Sequence, residues 1–253
     1  MKRRAFLALL PLLAGACRNR AEASAQGLVR VAAAANVHPV LERLRQPFVA
    51  ATGHRLELSA GSSGKLFAQI ENGAPFDVFV SADTERPKRL EAAGRAVAGS
   101  RFTYAEGRLA LYGRALQHPE NGELDIKAGN FRHFAIAHPD TAPYGVAAIQ
   151  VLRALGVSDR IAAQLVRGEN VTQTLQFVDT GAAELGLVAL STVSARPGAR
   201  YWKVPRELHE PIRQDAVLLA GARDAPAARA FLDLLRSERA KAVLREAGYD
   251  TPR

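Results

Sequence analysis

The sequence predicts an α/β protein of two lobes, joined by a hinge of two chain crossings with a ligand cleft between them. Three observations carry this. Short apolar segments of strand length alternate with amphipathic helical segments from residue 28 onward. The alternation starts afresh near residue 108. A last strand-like segment and two helical ones follow residue 214, so the chain leaves the first lobe and later returns to it.

The elements follow in order. Residues 28–34 (LVRVAAA) read as a buried strand. Residues 39–52 form a helix with Val40, Leu41, Leu44, Phe48 and Val49 on one face, ended by Gly53. Residues 55–59 alternate as a strand, 65–71 make a short helix closed near Asn72-Gly73, and 77–81 are a third strand. Asp83 caps the next helix, which Pro87 distorts or delays. This β-α-β-α-β-α order implies a parallel sheet. In the middle, 108–112, 134–137 and 185–190 read as strands, and 145–155, 159–166 and 171–179 as helices. Residues 201–204 and 215–219 are strand-like, and 225–235 and 238–247 are helical. Lobe one is expected to comprise 26–108 plus 215–253, and lobe two 109–214.

Residues 1–25 have the pattern of an export signal. Lys2-Arg3-Arg4 precedes an apolar run of about 12 residues, too short to span a bilayer. Paired arginines fit a twin-arginine signal as well as a general secretory one. Two cleavage sites compete: AGAC at 14–17, which would place a lipid on Cys17, and ASA at 23–25. Either places the mature protein outside the cytoplasmic membrane, in the periplasm or on the membrane's outer face.

Composition narrows the function. Hydrophobic residues are 48% and charged residues 23%, an ordinary globular balance. Cys17 is the single cysteine, so the body has no disulfide, cysteine metal site or cysteine nucleophile. Of the net charge of +9, residues 1–25 hold five basic residues against one acidic, and the remaining +5 is scattered, without a nucleic-acid footprint. His38, His54, His118, His133, His138 and His209 lack the spacing of a zinc protease.

Four loop segments place small, amide or hydroxyl residues just before a helix: Ala35-Asn36-Val37, Gly61-Ser62-Ser63-Gly64, Pro143-Tyr144-Gly145 and Glu169-Asn170-Val171. A helix start exposes unpaired N–H groups and carries about half a positive charge. Four starts aimed at one cleft would offer roughly +2 to an anion without any Arg or Lys. An enzyme reading competes. Ser62-Ser63-Gly64-Lys65 fits the S-x-x-K start of a serine hydrolase using Ser62 or Ser63, but the companion SDN-like and KTG-like triplets are absent.

Four stretches resemble the periplasmic molybdate-binding proteins of bacterial ABC importers: VAAAAN at 31–36, AGSSGKLFAQI at 60–70, GAPFDVFVSAD at 73–83 and GLVALS at 186–191. The resemblance spans nearly the whole mature chain. It implies a type II periplasmic-binding-protein fold that holds molybdate or tungstate between the lobes, no further cofactor, no direct protein–metal bond and no catalysis. It implies ligation by Asn36 and Ser63 through side chain and backbone, with Ala82 beside them, and backbone donation by Tyr144 and Val171. Some members carry a Tyr where this chain has Ala189, which leaves one contact unassigned. The implied partner is an ABC permease; a monomer is the default expectation for a two-lobed carrier. Sulfate, phosphate or another anion is the alternative solute.

Overall fold

The structure is a computed structural model that describes residues 26–252; the signal segment and Cys17 lie outside the described residues. β1 (Leu28–Ala34) leads into α1 (His38–Thr52), and Gly53, at φ 72°, closes that helix in the left-handed conformation glycine allows. β2 (Arg55–Gly61), α2 (Ser63–Glu71), β3 (Val78–Val80) and α3 (Glu85–Ala92) follow. Asp83 accepts from the Arg86 N–H at 2.9 Å, so it caps α3 from one residue before Thr84.

β1 pairs in parallel with both β2 and β3. Two further strands complete this sheet: β4 (Phe102–Gly107), and β10 (Ile212–Leu218), the last strand of the chain. The order is β2-β1-β3-β10-β4, with β10 antiparallel to both of its neighbours. The parallel sheet expected of the first lobe is therefore the parallel part of a mixed one.

The second sheet repeats the plan. It contains β5 (Leu109–Tyr112), β6 (Phe134–Ala137), β7 (Leu165–Gly168), β8 (Leu185–Ala189) and β9 (Tyr201–Lys203) in the order β7-β6-β8-β5-β9. Again the three strands at one side are parallel and the strand that crosses from the other lobe is antiparallel. Its helices are α4 (Glu123–Ala128), α5 (Pro143–Ala154), α6 (Ser158–Ile161) and α7 (Val171–Asp179). α8 (Ala225–Arg236) and α9 (Glu238–Glu246) return to the first sheet and pack on β10, α1 and β4.

Three expectations are corrected. Residues 159–166 are not one helix: α6 ends at Ile161, a tight 3₁₀ turn covers 162–164, and β7 begins at Leu165. β7 is drawn out by pairing with β6, Phe134 opposite Leu165 through Ala137 opposite Gly168, and tertiary pairing overrides a short apolar run that suits either period. β4 is absent from the sequence reading because FTYAEG mixes polar and apolar residues. β10 begins at Ile212, three residues before the expected return, because Ile212 and Arg213 pair with Gly107 and Glu106.

The two crossings are short. Only Arg108 separates β4 from β5, and residues 204–211 join β9 to β10. Among the described residues no helix is long and apolar enough to cross a membrane.

Candidate functional site

A small cavity lies where the two lobes meet, with at most about 200 Å³ of empty space. It is lined by the starts of four helices, one pair from each lobe. Residues 34–36 precede α1, 61–63 open α2, 142–144 open α5 and 170–171 open α7. All five residues singled out in the sequence, Asn36, Ser63, Ala82, Tyr144 and Val171, line this cavity, and each is 3% exposed or less.

The first-turn N–H groups of a helix have no partner within it. The backbone N–H groups of Asn36, Ser63, Tyr144 and Val171 make no hydrogen bond to any described residue. Their neighbours do: Gly64 N–H donates to the Thr141 carbonyl at 2.9 Å, and the Asn170 side chain, which caps α7, takes the Thr172 and Gln173 N–H groups at 2.9 and 3.1 Å. Donors are thus left over where the helix starts converge. The cavity lining contains no Lys or Arg.

Ser63 and Ala82 divide one task. The Ala82 N–H donates to Ser63 Oγ at 2.9 Å. That bond occupies an oxygen lone pair and leaves the Ser63 hydroxyl hydrogen to donate elsewhere. The Ala82 N–H is thereby already used. Ser62 lines the cavity as well, and its Oγ accepts from the Lys65 N–H at 3.4 Å as the cap of α2.

Asn36 turns its side chain toward the cavity floor. Its Nδ2 donates to Gln214 Oε1 and to the Tyr249 hydroxyl, both at 2.9 Å. Both amide hydrogens are therefore engaged, and the unpaired donor of this residue is its backbone N–H. The floor continues through Tyr104, whose hydroxyl lies 2.7 Å from Gln214 Oε1 and 2.9 Å from the Ser81 carbonyl. Gln214 Nε2 donates to the Tyr144 hydroxyl at 3.1 Å, which joins the lobes. Burial pushes Tyr104 and Tyr144 well above the ordinary tyrosine range. It pushes Tyr249 up to about 12, against hydrogen bonds from Ser191, Asn36 and Tyr144. The floor stays neutral. A register shift between Gln214 and Asp215 leaves Tyr104 as the extra residue on β4. Bulges of this kind re-aim side chains beside functional sites.

Tyr249, Tyr104, Ser191 and Gln214 escaped the sequence reading. Gln214 is the middle of three successive polar residues in β10, between Arg213 and Asp215, so nothing local marked it out. Ala189 ends β8, is fully buried and does not line the cavity.

The lobes meet in a closed arrangement. Besides Gly64 on Thr141, Lys65 Nζ pairs with Glu169 at 2.8 Å, and Arg86 reaches the Asp140 carbonyl at 3.3 Å. Neither serine has a base. Ser62 and Ser63 make no hydrogen bond to a His, Asp, Glu or Lys side chain among the described residues, and Lys65 is turned to Glu169. The arrangement expected of a serine nucleophile is not formed.

A two-lobed α/β fold with its binding cavity at the hinge defines a solute-binding protein. The profile of bacterial extracellular solute-binding proteins matches residues 29–250, and the chain belongs to that family. It is similar to the molybdate-binding protein ModA of Azotobacter vinelandii, 45% identical over 224 residues, covering 87% of this chain and 89% of that one. It is also similar to ModA of Rhodobacter capsulatus, 43% identical over 229 residues and 90% of each chain. The solved structure of the Azotobacter vinelandii periplasmic molybdate-binding protein superposes with a TM-score of 0.85 at 38% identity, over 89% of this chain and all of that one.

Proposed function

We propose that this protein captures molybdate or tungstate outside the cytoplasmic membrane and delivers it, as a monomer, to an ABC permease. One observation carries the reading: four residues whose backbone N–H groups have no partner among the described residues, Ser63 among them, line one small cavity with no charged side chain in its lining. The similarity to two molybdate-binding proteins supports molybdate, and tungstate is carried beside it as an oxyanion of the same charge and shape.

The chemistry follows from donors alone. A tetrahedral dianion offers only acceptors, and the helix starts supply N–H groups backed by their dipoles. An oxyanion that keeps a proton, such as hydrogen phosphate, would present a donor to a site of donors. Sulfate shares charge and shape with molybdate, so cavity size must reject it. Asn36 and Ser63 belong to one lobe, and Tyr144 and Val171 to the other. An ion that bonds all four favours the closed form by its difference in affinity between the two states.

Thermal unfolding of the ligand-stripped mature protein with sodium molybdate, tungstate, sulfate and phosphate in turn tests this. An ion at 1,000 times its Kd adds about 4 kcal/mol, a rise in Tm of roughly 8–16 °C for a chain of this size. A rise with molybdate and tungstate alone is expected. A rise with sulfate or phosphate changes the solute, and no rise with any of the four refutes the function.

A further inference from the structure

The turn after α9 is tied to the floor of the cavity, to the opposite lobe and to the hinge. The Tyr249 hydroxyl donates to the Asn36 carbonyl at 2.8 Å. It accepts from Asn36 Nδ2 at 2.9 Å and, across the lobes, from Ser191 Oγ at 3.1 Å. Ser191 Oγ also lies 3.3 Å from the Asn36 carbonyl. The next residue, Asp250, exchanges backbone hydrogen bonds with Glu106 at 2.7 and 3.0 Å, just before the first crossing. Its carboxylate meets Arg108 in the first crossing at 3.3 Å and Arg206 in the second at 2.5 Å.

We propose that Tyr249 is a positioning residue for anion capture: its hydroxyl locks Asn36 to Ser191 of the other lobe in the closed form, and so holds the cavity shut around a bound oxyanion. The inference rests on the capture function above and adds a residue that touches no ligand. Tyr249 grips Asn36 by carbonyl and side chain together. That fixes the rotation of a cavity-lining residue whose backbone N–H has no partner among the described residues. Opening the lobes separates Ser191 from Tyr249 and leaves the buried Asn36 carbonyl with fewer donors. The bond therefore belongs to the closed state, and its loss speeds opening and release. Uptake by the open form does not use it. Gly248 packs at 3.2 Å from the Leu190 side chain, measured from the position of an added Cβ, so the turn sits against the segment that carries Ser191 with little slack.

The test is Tyr249→Phe, which keeps the ring, beside Ser191→Ala, which removes the partner from the other lobe. Stopped-flow mixing with sodium molybdate reads uptake and release separately, and melting of the ligand-free protein reads the fold. Both variants are expected to release molybdate about tenfold faster with uptake within twofold of wild type, since one hydrogen bond of about 1.4 kcal/mol corresponds to a factor of ten. The double variant should release no more than twofold faster than Tyr249→Phe, because the two share one bond. A purely structural tyrosine would lower the ligand-free Tm and leave release unchanged in Ser191→Ala, and that result overturns the proposal. Slower uptake with unchanged release overturns it too. If the wild-type protein binds none of molybdate, tungstate, sulfate and phosphate, the capture function itself fails and takes this role with it. Normal wild-type binding with unaltered variants fails this role alone.

Discussion

Gly64 offers a perturbation that separates closure from folding. It is the second residue of α2, and its backbone N–H donates across the cleft to Thr141 at 2.9 Å. A Cβ built there would stand 2.9 Å from the Thr141 Cα, 2.9 Å from its carbonyl oxygen and 3.1 Å from an Arg86 nitrogen. Two of those atoms are backbone and cannot step aside, so Gly64→Ala forces the lobes apart in the closed form. An open form in which Thr141 has moved away would lack this contact. Overpacking costs about 1–3 kcal/mol, and weakening the interlobe hydrogen bond costs a further ~0.5–1.5 kcal/mol. Together they weaken anion binding by roughly 1.5–4.5 kcal/mol, a factor of about ten to about two thousand. The ligand-free protein responds in the other direction. Alanine in place of glycine favours the helix by up to about 1 kcal/mol. Calorimetric titration with molybdate and melting of the ligand-free variant read the two signs. Affinity within twofold of wild type would refute the reasoning, because the closed form would then not need the Thr141 contact.

Two further outcomes follow from particular bonds. Ser63→Ala removes the hydroxyl donor and leaves the Ala82 N–H without its acceptor, so molybdate affinity should fall by about 1–3 kcal/mol in the same titration; unchanged affinity would remove Ser63 from the site. Glu184 accepts the His133 N–H at 2.9 Å and faces Arg132, and these hold its carboxyl down to about 2. Because the folded value is depressed, its stabilisation is present above the ordinary value of 4.5 and fades as pH falls toward 2. Glu184→Gln should therefore lower the urea midpoint at neutral pH and converge on wild type near pH 2, whereas parallel curves from pH 7 to 2 would show that Glu184 contributes nothing through its charge.

What the sequence could reveal depended on how local the cause was. β1, α1 and β2 were legible because each owes its form to its own residues: an apolar strand, a helical stripe from Val40 to Phe48, and Gly53 between them. The cavity lining was legible for the same reason, since a helix start makes donors whatever surrounds it. β4 and β7 were not, because FTYAEG and LVRG become strands only by pairing with β10 and β6. The floor was least visible. Asn36 and Gln214 are 178 residues apart, and Asn36 and Tyr249 are 213 apart. No spacing rule reaches that far. Asn36 shows the consequence: the resemblance implied ligation through side chain and backbone, and only the fold shows that its side chain also bonds Gln214 and Tyr249.

The charges around the cleft explain why a protein with excess basic residues presents a neutral cavity. Two cations beside the contact between the lobes are held by other groups. Lys65 pairs with Glu169, and Arg86 pairs with Asp83 and reaches the Asp140 carbonyl. Were either to enter the cavity, any anion of sufficient charge would bind, and a proton on the ligand would matter little. With neutral donors the discrimination changes character. Each N–H needs a lone pair opposite it, and a ligand hydroxyl in that place leaves a buried donor unsatisfied at a cost of about 1–3 kcal/mol. The floor must then stay neutral as well, because a phenolate beneath the ion would repel it. A tyrosine at its ordinary value is already neutral near pH 7, and burial raises Tyr104, Tyr144 and Tyr249 further, so the floor sets no phenolate against the ion.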